Sequence, residues 1–357
     1  MKLTCPAPAK LNLFLHVVGR RPGGMTRCAQ ASDETTSHST RPSKGAVQVA
    51  GYGAGMPPPR LLPQSSGSAI TSDLASVVNS PSRMASSSTS NVSEADGYHL
   101  LQTLFRFIDL HDTLHFSLRK DGVVRRTHAV EGVAEEQDLC VRAARLLKNE
   151  TGCGLGVDIT VEKRIPMGGG LGGGSSDAAT TLIALNRLWS LDLSRAHLMR
   201  LGLRLGADVP VFVFGENAFA EGVGEELQAY PLAEAWYVVL FPPVHVPTAQ
   251  IFAHPELTRD TVSITMRALS ERQLWERQLH NDLQSVVCKL YPEVARYIAW
   301  LDKFGKAMMT GSGACVFAEF ASRSQAEAVL QELPHEMRGV VAQGLAKHPL
   351  HDWVLDR

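Results

Sequence analysis

The chain has 357 residues, 44% hydrophobic and 20% charged, which suits about two packed domains and excludes a wholly disordered protein. Lys and Arg number 35 against 36 Asp and Glu, so there is no positive excess for coating a nucleic acid; a small phosphorylated ligand would need only local donors. No apolar run reaches the ~18 residues of a membrane span, and the six cysteines (5, 28, 140, 153, 288 and 315) form neither a CxxC pair nor a Cys/His cluster. A cytoplasmic protein with reduced thiols and no nucleic-acid or membrane partner is expected.

Residues 9–18 alternate as a strand, with Ala9, Leu11, Leu13, Leu15 and Val17 on one face and Lys10, Asn12, Phe14, His16 and Val18 on the other. The first face should meet the core, and the second carries Lys10 and Asn12 side by side. His16 shares that parity and reads as structural.

Residues 23–95 differ in composition. They hold 16 Ser, 6 Thr, 7 Gly and 6 Pro among 73 positions, and Tyr52 is the sole aromatic. Such a segment buries too little apolar surface to offset its ordering entropy, so it reads as a disordered insertion. Only 22 residues precede it, too few for a domain, so the parts on either side belong to one unit. Closing so long a loop costs about 2.6 kcal/mol more than closing a four-residue one, which folding can bear.

Beyond it, strands are expected over 100–108, 113–118, 157–162, 209–214, 236–241 and 315–320. Helices are expected over 136–150, 175–189, 198–205, 281–287, 293–304 and 324–333. Helices and strands mix without regular βαβ alternation, which points to an α+β fold.

The strongest local signal is Pro166-Met167-Gly168-Gly169-Gly170-Leu171-Gly172-Gly173-Gly174-Ser175-Ser176, between an expected strand and an expected helix. Glycines let backbone amides approach a ligand, and a helix start adds unpaired donors and a positive dipole end, so the segment suits phosphate oxygens. Ser175 and Ser176 could cap the helix or reach a phosphate or a magnesium ion. The segment lacks the Gly-Lys-Ser/Thr of a P-loop. Gly168, Gly170 and Gly173 formally fit the dinucleotide GxGxxG, but Asp192, near the required spacing, follows a helix rather than a strand, so a Rossmann oxidoreductase is the weaker reading. The His-Arg-Asp and Asp-Phe-Gly of protein kinases are absent.

This segment resembles the ATP loop of the GHMP kinases, the superfamily of galactokinase, homoserine kinase and mevalonate kinase. The resemblance extends to Ala7-Pro8-Ala9-Lys10-Leu11-Asn12-Leu13, Asp96-Gly97-Tyr98-His99, Gly206-Ala207-Asp208-Val209-Pro210, Pro247-Thr248 with Ile251-Phe252, Asn281-Asp282-Leu283 and Gly311-Ser312-Gly313-Ala314-Cys315, in the family's order. It covers nearly all of the chain except 23–95, a segment that separates a Gly-Arg-Arg-Pro from the Asp-Gly-Tyr-His that follows it almost directly in the family.

The resemblance implies a two-domain fold: a ribosomal-protein-S5-like ATP-binding domain over 1–230, a ferredoxin-like domain over 231–345, and a tail over 346–357. It implies ATP and Mg2+ as cofactors, and as substrate a small cytidine diphosphate compound, a methylerythritol phosphorylated on its 2-hydroxyl in the non-mevalonate isoprenoid route. Another GHMP kinase, or a nucleotide-binding protein impaired by the insertion, is the alternative; monomer and homodimer both remain open.

By the same resemblance Asp208 is the general base and Lys10 its cationic partner, which would hold Asp208 ionised and offset charge on the transferring group. Residues 166–176 and Lys163 would bind ATP. Asn12, Tyr98, His99, Thr248 and Phe252 would bind the substrate, with Tyr98 and Phe252 sandwiching the cytosine and His99 bonding its edge. The turn at Gly311-Ser312-Gly313 is either a second glycine turn near the substrate or a plain hairpin.

Overall fold

The computed structural model describes residues 1–20, 99–129, 132–270 and 278–356. The expectation for residues 23–95, and Tyr98, lie outside these. The described residues fall within one compact unit.

Two long strands organise it. β1 (Lys2–Arg20) and β2 (His99–Arg119) pair antiparallel along their whole length. The sequence showed only the middle of the first and split the second in two. Register shifts at Pro8/Ala9, between Asn12 and Leu15, and at Val17/Gly19 break the alternation of β1. Both of its faces are buried from Ala7 to Val17, so the expected division into a core face and an open face does not hold.

The other edge of β2 is shared. β4 (Gly156–Glu162) pairs with residues 113–119, β10 (Gly339–Leu345) with 107–108 and β5 (Ala218–Glu221) with 103–105. β3 (Val124–Arg126) lies parallel to β4, and β6 (Glu226–Ala229) pairs with β5. β10 also pairs with β7 (Trp236–Leu240), which leads to β9 (Val316–Phe320) and β8 (Met308–Met309). One mixed sheet thus carries both halves of the fold.

The first half packs α1 (Leu139–Thr151), α2 (Gly173–Leu188) and α3 (Arg195–Leu203) into one apolar core. Asp138 caps α1 by accepting from the amides of Cys140 and Val141, and Ser194 caps α3. A fourth helix, α4 (Val209–Phe214), stands where a strand was expected. The β-branched and aromatic residues of Val-Pro-Val-Phe-Val-Phe favour a strand, but Pro210 sits in the first turn, Gly215 ends the segment in the left-handed conformation, and residues 209–213 are buried in the same core as α2 and α3. Packing overrides propensity here.

The second half packs α5 (Thr248–Ala253), α6 (Asp282–Leu290), α7 (Pro292–Leu301) and α8 (Arg323–Gln331) around β7 and β9. A third cluster, with Ala9, Leu11, Phe14, Leu171, Phe219 and Tyr237, fills the seam between the halves. Among the described residues no helix is long and apolar enough to cross a membrane.

Candidate active site

The glycine segment leaves β4 and enters α2, whose N-cap is Gly172. Two glycines in it are dictated by geometry. Gly170 has φ +77°, and a Cβ there would lie 2.1 Å from the Thr310 carbonyl oxygen; Gly172 has φ +72°, and its Cβ would meet the Phe212 ring at 2.9 Å and Lys10 Cε at 3.2 Å. The loop's carbonyls are tied into the protein. That of Gly169 accepts from the Cys315 amide, that of Leu171 from the Lys10 amide, and that of Gly172 from the Ser176 amide. The Gly170 carbonyl takes Lys10 Nζ at 2.8 Å. The amides are what the loop has left to present to a ligand.

The loop forms one wall of a cavity of about 810 Å3. Lys10 and Asp208 face each other in it, Nζ to carboxylate 3.5 Å, although the sequence separates them by nearly two hundred positions. Lys10 is almost fully buried at 3% side-chain exposure, whereas Asp208 is 39% exposed. Asp208 immediately precedes α4, so the helix that replaced the expected strand is what aims it.

Asn12 Oδ1 accepts from Lys10 Nζ at 2.5 Å, while its Nδ2 donates to Thr103 Oγ1 at 2.9 Å. Thr310 Oγ1 lies 3.4 Å from Asn12 Oδ1. The amide thus orients Lys10, and Asn12 also lines the cavity in which it is expected to meet the substrate.

Lys163 lines the cavity, but its Nζ lies 2.5 Å from Asp112 and 2.8 Å from Asp177, so it is not a free cation. Burial opposes its charge; the two carboxylates outweigh that and raise its pKa above the usual lysine value. Burial, with the Asp112 carboxylate adding to it, raises Asp177 to about 7 against the pull of Lys163. Asp112, which the sequence did not reveal, also accepts from the amides of Arg164 and Ile165 and so fixes the chain where it enters the glycine loop.

Ser175 lines the cavity; Ser176 does not. The Ser176 hydroxyl donates to the Pro8 carbonyl at 2.7 Å in a fully buried position, which ties the start of α2 to β1. Pro166 to Gly174 all line the cavity, with Met167 exposed.

Thr248 and Phe252, both on α5, also line the cavity. Thr248 Oγ1 is 2.7 Å from Ser312 Oγ, so the turn at Gly311-Ser312-Gly313 both joins the β8–β9 hairpin and faces the site. The ring of His99 lies 5.0 Å from that of Phe252, and its Nε2 accepts from Arg259 Nε at 3.2 Å. Burial, Arg20 and Arg259 all lower the His99 pKa, which favours the neutral ring. Arg259 also donates to the Phe252 and His254 carbonyls, fixing the aromatic pair; nothing local in the sequence marks it.

A GHMP-kinase N-terminal-domain model matches residues 138–216, and a GHMP-kinase C-terminal model matches 265–339. The fold and this cavity thus define an ATP-using small-molecule kinase of the GHMP superfamily. A 4-diphosphocytidyl-2-C-methyl-D-erythritol kinase from Nitrosospira multiformis is 49% identical over 355 residues, covering 99% of this chain and 94% of the relative. One from Thiobacillus denitrificans is 61% identical over 259 residues, covering 72% of this chain and 91% of the relative. The crystal structure of a 4-(cytidine 5'-diphospho)-2C-methyl-D-erythritol kinase superposes with a TM-score of 0.64 at 26% identity, covering 96% of this chain and 99% of that one. Methanococcus jannaschii mevalonate kinase shares the fold, with a TM-score of 0.54 at 15% identity over 68% of this chain and 92% of that one. The chain belongs to the 4-diphosphocytidyl-2-C-methyl-D-erythritol kinase family.

Proposed function

We propose that this protein transfers the γ-phosphoryl group of ATP to the 2-hydroxyl of 4-diphosphocytidyl-2-C-methyl-D-erythritol, a step of non-mevalonate isoprenoid biosynthesis, in the cytoplasm. The observation that carries the reading is the 3.5 Å approach of Lys10 to Asp208 beside the amides of the glycine loop.

The substrate hydroxyl sits between the Asp208 carboxylate and the Lys10 ammonium. Its oxygen forms a bond to the γ-phosphorus as the bond to the ADP oxygen breaks, its proton passes to Asp208, and ADP leaves. Lys10, held by Asn12 and the Gly170 carbonyl, offsets negative charge on the transferring group. The loop amides and the start of α2 hold the phosphates. Val133, Leu139 and Val161, which line the cavity beyond α2, receive the adenine. Phe252, backed by His99 and Arg259, stacks the cytosine.

Mg2+ fits the residues present. Asp177 lines the cavity and its Oδ1 is buried without a partner, and Mg2+ takes one or two carboxylates together with nucleotide phosphates and water. Asp177 and Ser175 would hold it, and it would neutralise phosphate charge. Among the described residues no cluster of three or more His, Cys, Asp or Glu forms a protein-only metal site.

We take 1–230 as the ATP-binding domain, 231–345 as the second domain and 346–357 as the tail, with the tail packing back on the first core and Leu15 and Val17 of β1 entering the second. The test is an ADP-release assay with three alcohols. Turnover of the cytidine diphosphate substrate is expected. Turnover of mevalonate or homoserine in its place would assign the chain another GHMP activity.

A further inference from the structure

A substrate stretched from Asp208 to Phe252 must lay its diphosphate across the part of the cavity between them. The side chains that the second core contributes to the cavity lining are apolar: Leu15, Leu101, Val246, Leu283 and Phe252. Lys163 is spent on two carboxylates, and Lys10 is held at the reacting hydroxyl by Asn12 and Asp208. An anion placed here needs donors from elsewhere.

His245 supplies one. It is exposed, it lines the cavity three residues before Thr248, and it lies against the first glycine of the phosphate loop. A Cβ on Gly168 would fall 2.3 Å from His245 Nδ1, so the imidazole occupies the space that a side chain at 168 would take. Ser312, whose hydroxyl lies 2.7 Å from Thr248 Oγ1, lines the same cavity and supplies a second hydroxyl. Neither the family models nor the sequence motifs single out His245.

We propose that His245, with the Ser312 hydroxyl, binds the diphosphate bridge of the substrate and discriminates a nucleoside diphosphate from a nucleoside. This rests on the cytidine diphosphate substrate proposed above and assigns its phosphates a place distinct from those of ATP. The imidazole donates to a phosphate oxygen, and Gly168 leaves room for it to do so next to the γ-phosphate cradle. Removing such a charge-assisted hydrogen bond costs about tenfold in affinity.

The test uses the full chain and two variants, His245→Phe, which keeps a ring without a donor, and His245→Gln, which keeps a donor. Wild-type turnover of the substrate is measured first; its absence overturns both the substrate reading and this inference. Given turnover, His245→Phe is expected to raise the substrate KM about tenfold with kcat and the ATP KM little changed, and His245→Gln to stay near wild type. Calorimetry with CDP and cytidine gives a readout independent of turnover: the preference for CDP shrinks in His245→Phe and persists in His245→Gln. An unchanged substrate KM and CDP preference in His245→Phe would overturn the inference alone, and so would a rise confined to the ATP KM.

Discussion

Lys10 is a buried ammonium whose neighbours are chosen for geometry. Asn12 and the Gly170 carbonyl fix its position, the Phe105 ring lies 5.6 Å below it, and Asp208 closes the arrangement from the solvent side. The pair contributes little to stability, because the Asp208 end is partly solvated and such pairs are worth about 0–1 kcal/mol. In the mechanism proposed above its value lies in placing an acceptor and a cation on either side of one hydroxyl. Asp208→Asn is therefore expected to lower kcat by about a hundredfold or more while the thermal midpoint stays near that of the wild type. Lys10→Met, which keeps the buried stem but removes the charge, should lower kcat by a similar factor with the circular dichroism spectrum preserved. Steady-state kinetics and thermal melts on the two variants check this; a loss of less than fivefold in either would remove that residue from the chemistry.

Elements differ in how much of them the sequence disclosed, and the difference follows contact range. The glycine loop was legible because its chemistry is local, a glycine run before a helix, whereas the helix starts set by the caps at Asp138 and Ser194 were displaced by about three residues. The α4 segment was misread because its own residues favour a strand and only its packing on α2 and α3 makes it a helix. Asp112, Arg259 and His245 were missed for the same reason, since each acts on a segment distant in sequence. The C-terminal segment extends the pattern. Leu350 and Val354 bury in the core of the first half, and Arg195 of α3 donates to the carbonyls of Val213, Phe214, His351 and Val354. His348 anchors its start: its Nδ1 accepts from the Leu350 amide, its Nε2 is buried without a partner, and its ring packs edge-on to Phe107. Burial, with His351 and Arg195 adding to it, lowers its pKa from 6.5 to about 3. The unfolded chain therefore takes up a proton below pH 6.5 that the folded one refuses until about pH 3. The contribution of His348 is complete above pH 6.5 and is lost progressively as the pH falls toward 3. His348→Asn keeps an acceptor for the Leu350 amide and removes the titration. Between pH 7 and 4 the wild-type thermal midpoint should fall further than that of the variant, and parallel curves would show that His348 is not the acid-sensitive group.

At the scale of the whole molecule the site lies where the two halves meet, because β2 and β10 join them in one sheet and the third apolar cluster seals the seam. Lys10 comes from β1, Asp208 from the start of α4, and Thr248 and Phe252 from α5, so both halves line the cavity. The same topology sets what the insertion can cost. Arg20 at the end of β1 is paired directly with His99 at the start of β2, so the 78 residues between them close a loop whose ends are already neighbours. Removing 23–95 leaves Arg21, Pro22, Asp96, Gly97 and Tyr98 to make the turn, a length that hairpin connections commonly use. If the span has no packing of its own, as its composition leads one to expect, it costs closure entropy alone, and shortening it from 78 residues to five regains about 2 kcal/mol. The deletion variant is thus expected to melt a few degrees higher than the full chain. Its substrate KM reports on the junction itself, since His99 and Phe252 stand next to the restored turn. An unchanged KM with a raised melting point makes the insertion a passenger, whereas a lower melting point would mean that residues 23–95 pack on the kinase and contribute to its stability.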